Sequence, residues 1–227
     1  MSTKSLWVFG YGSLLWAPGF AFTDLLPGKV RGYSRKFWQG NTTHRGTPEQ
    51  PGRVATLVED ENAEVWGVAY EVKDSDAIPY LNEREVKLGG YRTAFSWFHP
   101  EEGEPFLVLL YMATPDSSNW LGSASDYEIA QDILHSSGPS GHNVEYLLRL
   151  AEFVRNQAPD VEDPHLFGLE SIVRMEIRER GLPLETLMGP AKPLPSPVAP
   201  EDLENDAFPP IKFVSTIKMK KLRCLSI

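Results

Sequence analysis

The segment Glu64–Val72, EVWGVAYEV, constrains the fold of this chain more than any other stretch. Trp66, Val68, Tyr70 and Val72 fall on one face, and Val65, Gly67, Ala69 and Glu71 on the other. That period of two belongs to a β-strand. A strand needs partners, and the first half of the chain supplies extended candidates at 6–10, 29–40, 51–59, 91–98 and 105–113. A short helix is expected at 76–87, stopped by Gly89–Gly90. Three more helices are expected at 125–136, 142–157 and 167–180, the last ended by Gly181. Within 142–157, Val144, Leu147, Leu148 and Ala151 recur at helical spacing. Strands crowded before helices predict an α+β domain.

Composition narrows the function classes. The 227 residues are 41% hydrophobic, enough for one sizeable core. A formal net charge of -9 argues against a nucleic-acid partner, which wants a basic surface. No apolar run approaches the ~18 residues needed to span a bilayer. The N-terminal apolar stretch is interrupted by Gly10, Tyr11, Gly12 and Ser13, unlike a signal peptide. The single cysteine, Cys224, permits no disulfide within the chain. A cytoplasmic protein is the expectation. The histidines are scattered without ligand spacing, so no metal is expected. There is no GxGxxG, GxxxxGK or GxSxG pattern, which argues against dinucleotide, P-loop and serine-hydrolase chemistry.

Four places carry polar groups suited to a small-molecule site. Tyr11-Gly12-Ser13-Leu14 follows the first strand, and a turn there aims backbone N–H groups into the cleft at the strand end. A purely structural turn is the alternative. Arg53, at the start of a strand, is suited to bidentate recognition of a carboxylate or to an ordinary salt bridge. Adjacent positions on a helix point about 100° apart, so Glu83 and Glu85 on the 76–87 helix do not face the same way, and one can face inward while the other is solvated. An inward, partly desolvated carboxylate gains general-base strength, whereas two surface glutamates do nothing. Tyr146 sits on the helix opened by Gly138-Pro139-Ser140-Gly141-His142-Asn143, either over a pocket or in the core.

Six blocks in order then resemble one family: VFGYGSLLWAPGF (8–20), GYSRKFWQGNTTHRG (32–46), PGRVATLV (51–58), VWGVAYEV (65–72), NEREVKLGGYRT (82–93) and SGPSGHNVEYLLRL (137–150). Together they are similar to the ChaC family of glutathione-specific γ-glutamylcyclotransferases. The resemblance implies the γ-glutamylcyclotransferase-like α+β fold, a mixed, barrel-like sheet with flanking helices. It also implies cleavage of glutathione into 5-oxoproline and cysteinylglycine, with no cofactor. By the same resemblance Glu85, in the Arg84-Glu85 pair, is the catalytic glutamate. Tyr11, Gly12, Ser13 and Leu14 would line the glutamyl end of the substrate, with Arg53 and Tyr146 as further binding residues.

Two other readings stand beside this one. The same fold serves cyclotransferases for other γ-glutamyl amino acids or amines, and a non-enzymatic protein can bind partners through its acidic surface or its tail. Residues 1–185 are expected to form the catalytic domain, acting as a monomer. Residues 186–227 form a proline-rich extension, packed on the domain or partly disordered. Its basic end, 211–225, reads as a terminal strand, a disordered tail or a contact with a partner or membrane surface.

Overall fold

The computed structural model describes residues 5–73, Pro79, Leu81, 91–190 and Ser196–Pro197. Strands β1 (Ser5–Gly10), β2 (Asp24–Asn41), β3 (Gly52–Lys73), β4 (Tyr91–Pro100) and β5 (Phe106–Ala113) close into a barrel in the order β1-β3-β2-β4-β5. Every pairing is antiparallel except the closing one, β1 with β5 through Val8 and Leu109. The expected mixed, barrel-like sheet is therefore present. Helices α1 (Asp126–His135), α2 (Asn143–Gln157) and α3 (Pro164–Glu179) follow, with the single-turn α4 at Leu184–Leu187. The hairpin of β6 (Ser137–Gly138) and β7 (Gly141–His142) joins α1 to α2.

The two separate strands expected at 51–59 and 64–72 are one continuous element, β3, and its partner β2 starts earlier than expected, at Asp24. The dissection has a physical counterpart. Arg31 pairs with Glu64 and Tyr33 with Glu59, so Gly32 alone stands opposite the four residues Asp60–Ala63. That polar excursion interrupts the hydrophobic alternation without ending the strand. Both faces of the 64–72 segment are buried, with Trp66, Val68, Tyr70 and Val72 on one side and Val65 and Ala69 on the other. On the first of these faces Trp66 meets Phe153 of α2 with ring centroids 6.3 Å apart, and Tyr70 packs against Phe20 and Phe22 of the segment after β1.

Local chemistry sets the helix starts. Ser125 and Glu128 form a reciprocal capping box at α1. Asp163 caps α3 through the Leu166 N–H, with Pro164 in the first turn. The same Asp163 pairs with the buried Arg35 of β2 at 2.8 Å, which fixes α3 against the barrel. The helix expected at 76–87 lies outside the described residues except for Pro79 and Leu81, both helical, with Leu81 fully buried.

Candidate active site

The end of β1 turns sharply. A single turn of 3₁₀ helix at Ser13–Leu15 follows Gly12, with Leu15 N–H donating to Gly12 O at 3.0 Å and Ala17 N–H to Ser13 O at 2.9 Å. The turn's own ladder begins at Leu15, so the N–H groups of Ser13 and Leu14 lie ahead of it. Two buried tyrosines hold this segment. Tyr70 donates to Leu14 O at 2.9 Å, and Tyr11 donates to Tyr111 O at 2.5 Å. Burial raises the Tyr70 phenol well above its ordinary value, so it remains a donor.

Tyr146, one turn into α2, reaches the same place. Its hydroxyl accepts the Ala55 N–H at 3.1 Å, and its ring meets Trp16 and Phe37 edge-on at 5.4 and 6.0 Å. A β-carbon on Gly12 would lie 2.9 Å from that hydroxyl. The strand-end turn Tyr11–Leu14 and the helix residue Tyr146 are thus brought together.

Arg53 lies close by in sequence, at the start of β3, with its guanidinium engaged by the scaffold. Its Nε pairs with Asp132 of α1 at 2.9 Å, and NH1 donates to Gly122 O at 3.0 Å. Glu85 and Glu83 lie outside the described residues. Among the described residues, no cluster of three or more His, Cys, Asp or Glu has the arrangement of a metal site.

Three further residues shape this site. Tyr91 donates to Ala55 O at 3.0 Å, and Asn143 makes two bonds to the Arg53 backbone. Glu145 is a buried carboxylate held by Arg45 at 2.5 Å and Arg149 at 2.8 Å. Burial pushes the Glu145 carboxyl up, but the hydrogen bonds and charges of the two arginines outweigh it and leave its pKa below the ordinary value. Asn143 and Glu145 lay in plain view inside the GHNVEYLL block, but nothing in their spacing distinguishes them from surface polar residues. An open cavity of about 480 Å³ at the β2–β3 register break is lined by Arg31, Tyr33, Glu59, Asp60, Glu61 and Ser96. It holds none of the expected site residues.

Residues 6–176 match the family described as ChaC-like protein. The chain belongs to the ChaC-like family. Its relatives in that family include glutathione-specific γ-glutamylcyclotransferase 1 of Danio rerio, 50% identical over 180 residues that cover 77% of this chain and 92% of that one. The human protein of the same name is 50% identical over 175 residues, 75% of this chain and 79% of that one. A crystal structure of a γ-glutamylcyclotransferase specific to glutathione from yeast superimposes with a TM-score of 0.70 at 29% identity, covering 76% of this chain and 96% of that one. The ChaC-like chain therefore has the γ-glutamylcyclotransferase fold. No described helix is long and apolar enough to cross a membrane.

Proposed function

We propose that this ChaC-like chain is a glutathione-specific γ-glutamylcyclotransferase, cleaving glutathione into 5-oxoproline and cysteinylglycine. The relatives named above carry that activity in their names, at half identity over most of both chains. The observation in this structure that supports the reading most directly is the strand-end turn closed beneath the Tyr146 hydroxyl at the side-chain-free Gly12.

The reaction asks for few protein groups. The substrate's α-amine attacks its own γ-carbonyl, a C–N bond closes the five-membered lactam, and the amide C–N bond to cysteinylglycine breaks. The amine is mostly protonated at neutral pH, so a base must take its proton, and the leaving amine must receive one. Glu85 performs both transfers in turn, acting first as base and then as acid. Folding the glutamyl chain so that amine and carbonyl meet removes several kcal/mol of entropic barrier. The Tyr11–Leu14 backbone fixes the glutamyl α-carboxylate and helps polarise the carbonyl, donating hydrogen bonds that require no reorganisation. Tyr146 lines the same end of the substrate. Arg53 contributes through what it ties together: β3, α1 and the loop at Gly122. No side-chain nucleophile, metal or organic cofactor enters these steps.

In this reading residues 1–185 are the catalytic domain, working as a cytoplasmic monomer, and 186–227 are an extension outside the chemistry. The test is release of 5-oxoproline and cysteinylglycine from reduced glutathione by the purified full chain, beside Glu85→Gln. Loss of turnover of about 100-fold or more in a folded variant supports both reaction and base. Turnover of γ-glutamyl-alanine but not glutathione would replace the substrate. No turnover of either would leave a binding protein on this fold.

A further inference from the structure

The exposed edge of a strand must be satisfied by something, and at the start of β3 that something is a set of side chains. On one side Arg53 pairs with Gly40 of β2. On its other side the Arg53 N–H donates to Asn143 Oδ1 at 2.6 Å, and Asn143 Nδ2 donates to Arg53 O at 2.9 Å. The amide of Asn143 thus makes the two bonds that a neighbouring strand would make. It can sit only one way round, because a backbone N–H must meet the oxygen and a carbonyl must meet the nitrogen. Two residues further along, the Ala55 N–H donates to the Tyr146 hydroxyl, and Ala55 O accepts from Tyr91.

Asn143 and Tyr146 are one turn apart on α2, and Arg53 and Ala55 are one strand repeat apart. Their two contacts therefore set helix against strand at a single register. Asn143 is fully buried, and a β-carbon on Gly52 would stand 3.0 Å from its Oδ1, so the strand backbone approaches it where no side chain intervenes.

We infer that Asn143 is a positioning residue for the proposed cyclotransferase reaction: its two-way bond to Arg53 holds the Tyr146 hydroxyl over Gly12. The inference rests on the functional reading above only for its kinetic arm. Removing either half of the bond leaves a buried backbone group unpaired and lets the start of α2 shift. A shift well below 1 Å at Tyr146 is enough to matter at the strand-end turn, because the hydroxyl stands only 2.9 Å from where a β-carbon of residue 12 would lie.

The experiment is a double-mutant cycle on the full chain, with Asn143→Asp, Asn143→Ala and Tyr146→Phe measured singly and in combination. Asn143→Asp keeps the shape but sets a carboxylate oxygen against Arg53 O. It should lower kcat by about 10- to 100-fold, with KM changing less. In the Tyr146→Phe background the same substitution should cost under threefold, because its effect passes through a hydroxyl already gone. A full, additive loss in that background would overturn the inference, with cyclotransferase activity of the parent chain unaffected as a finding. A second arm does not depend on turnover. With tyrosine labelled with ¹³C at Cζ, the Tyr146 resonance should move in Asn143→Ala, and Tyr70, held by Leu14, should not. An unmoved Tyr146 resonance in a folded variant overturns the inference whether or not the chain turns over glutathione.

Discussion

The β-carbon position of Gly12 lies 2.9 Å from the hydroxyl oxygen of Tyr146, at the point where the first strand breaks into its 3₁₀ turn. Any side chain at residue 12 must displace either the hydroxyl or the turn, and both belong to the proposed site. Gly12→Ala is expected to lower kcat/KM by about 100-fold, a loss of roughly 2.7 kcal/mol in transition-state stabilisation. Adding Tyr146→Phe removes the clashing oxygen, so the double variant should recover some of what Gly12→Ala lost. Steady-state kinetics of the two single variants and the pair decide this. Strict additivity would show that the two residues do not meet in the working enzyme.

Arg53 should matter to stability as much as to turnover. Its side chain is buried and bonds to Asp132, Gly122 and Phe37, so its loss unpairs groups on three elements. Asp132 is far more open to solvent, with 42% of its side chain exposed. Arg53→Met is therefore expected to cost about 2–4 kcal/mol and Asp132→Asn less than about 1 kcal/mol. Urea denaturation of both variants checks the asymmetry. Equal losses would mean that the ion pair, rather than the bonds to backbone, is what Arg53 supplies.

How far the sequence revealed this arrangement depended on range. The period-two run at 64–72, the glycine-bearing turn after β1 and the helical spacing in α2 were legible because each is a local pattern. The closed, mixed barrel came from the family resemblance. Barrel closure through Val8 and Leu109 joins residues a hundred positions apart, and no periodicity encodes that. The merging of 51–59 and 64–72 into β3 was hidden because Asp60–Ala63 look like a turn, although they form an excursion opposite Gly32. Among site residues, Tyr11 to Leu14 and Tyr146 stand out as motif residues. Asn143, Tyr91 and Glu145 do not, because their work is to satisfy distant backbone groups or arginines that only the fold brings near. Tyr70 counted as one more apolar residue on a strand face, while its hydroxyl in fact holds the turn.

Glu145 tests how much of the site's support is electrostatic. Its carboxylate bridges Arg45, in the loop after β2, and Arg149, one turn further along α2; Arg149 also donates to Gly189 O and Pro190 O. Glu145→Gln leaves two largely buried guanidinium groups beside a neutral amide. A loss of about 2–4 kcal/mol follows from leaving such charges uncompensated. Thermal unfolding should show the midpoint falling by several degrees. Replacing Arg149 alone should cost less, since Arg45 still pairs with the carboxylate.

Stability should also fall as pH drops from about 7 to 5, a window that belongs to two histidines. His165 accepts the Phe37 N–H on Nε2 at 3.1 Å and faces Asp126 through Nδ1 at 3.1 Å, with Lys36 and Asp163 as further charged neighbours. Burial lowers its pKa below 6.5, and the nearby carboxylates only partly oppose that. His142 is lowered in the same direction by burial and then by the charges of Arg45 and His135, while its Nδ1 accepts the Val144 N–H that starts α2. In the unfolded chain both rings take up protons near 6.5, before the folded ones do, so the unfolded state binds more protons and acid favours it. Full stability therefore lies above about 6.5 and is lost progressively below it. The carboxylates held low in the fold, Glu145, Glu128 and Glu176, protonate in the unfolded chain only near 4.5, so they add a separate loss at still lower pH. His165→Gln keeps an acceptor for the Phe37 N–H and cannot titrate. Urea midpoints at pH 7.5 and 5.5 should differ clearly for the parent chain and by less for this variant. An unchanged difference would assign the acid sensitivity to His142 alone.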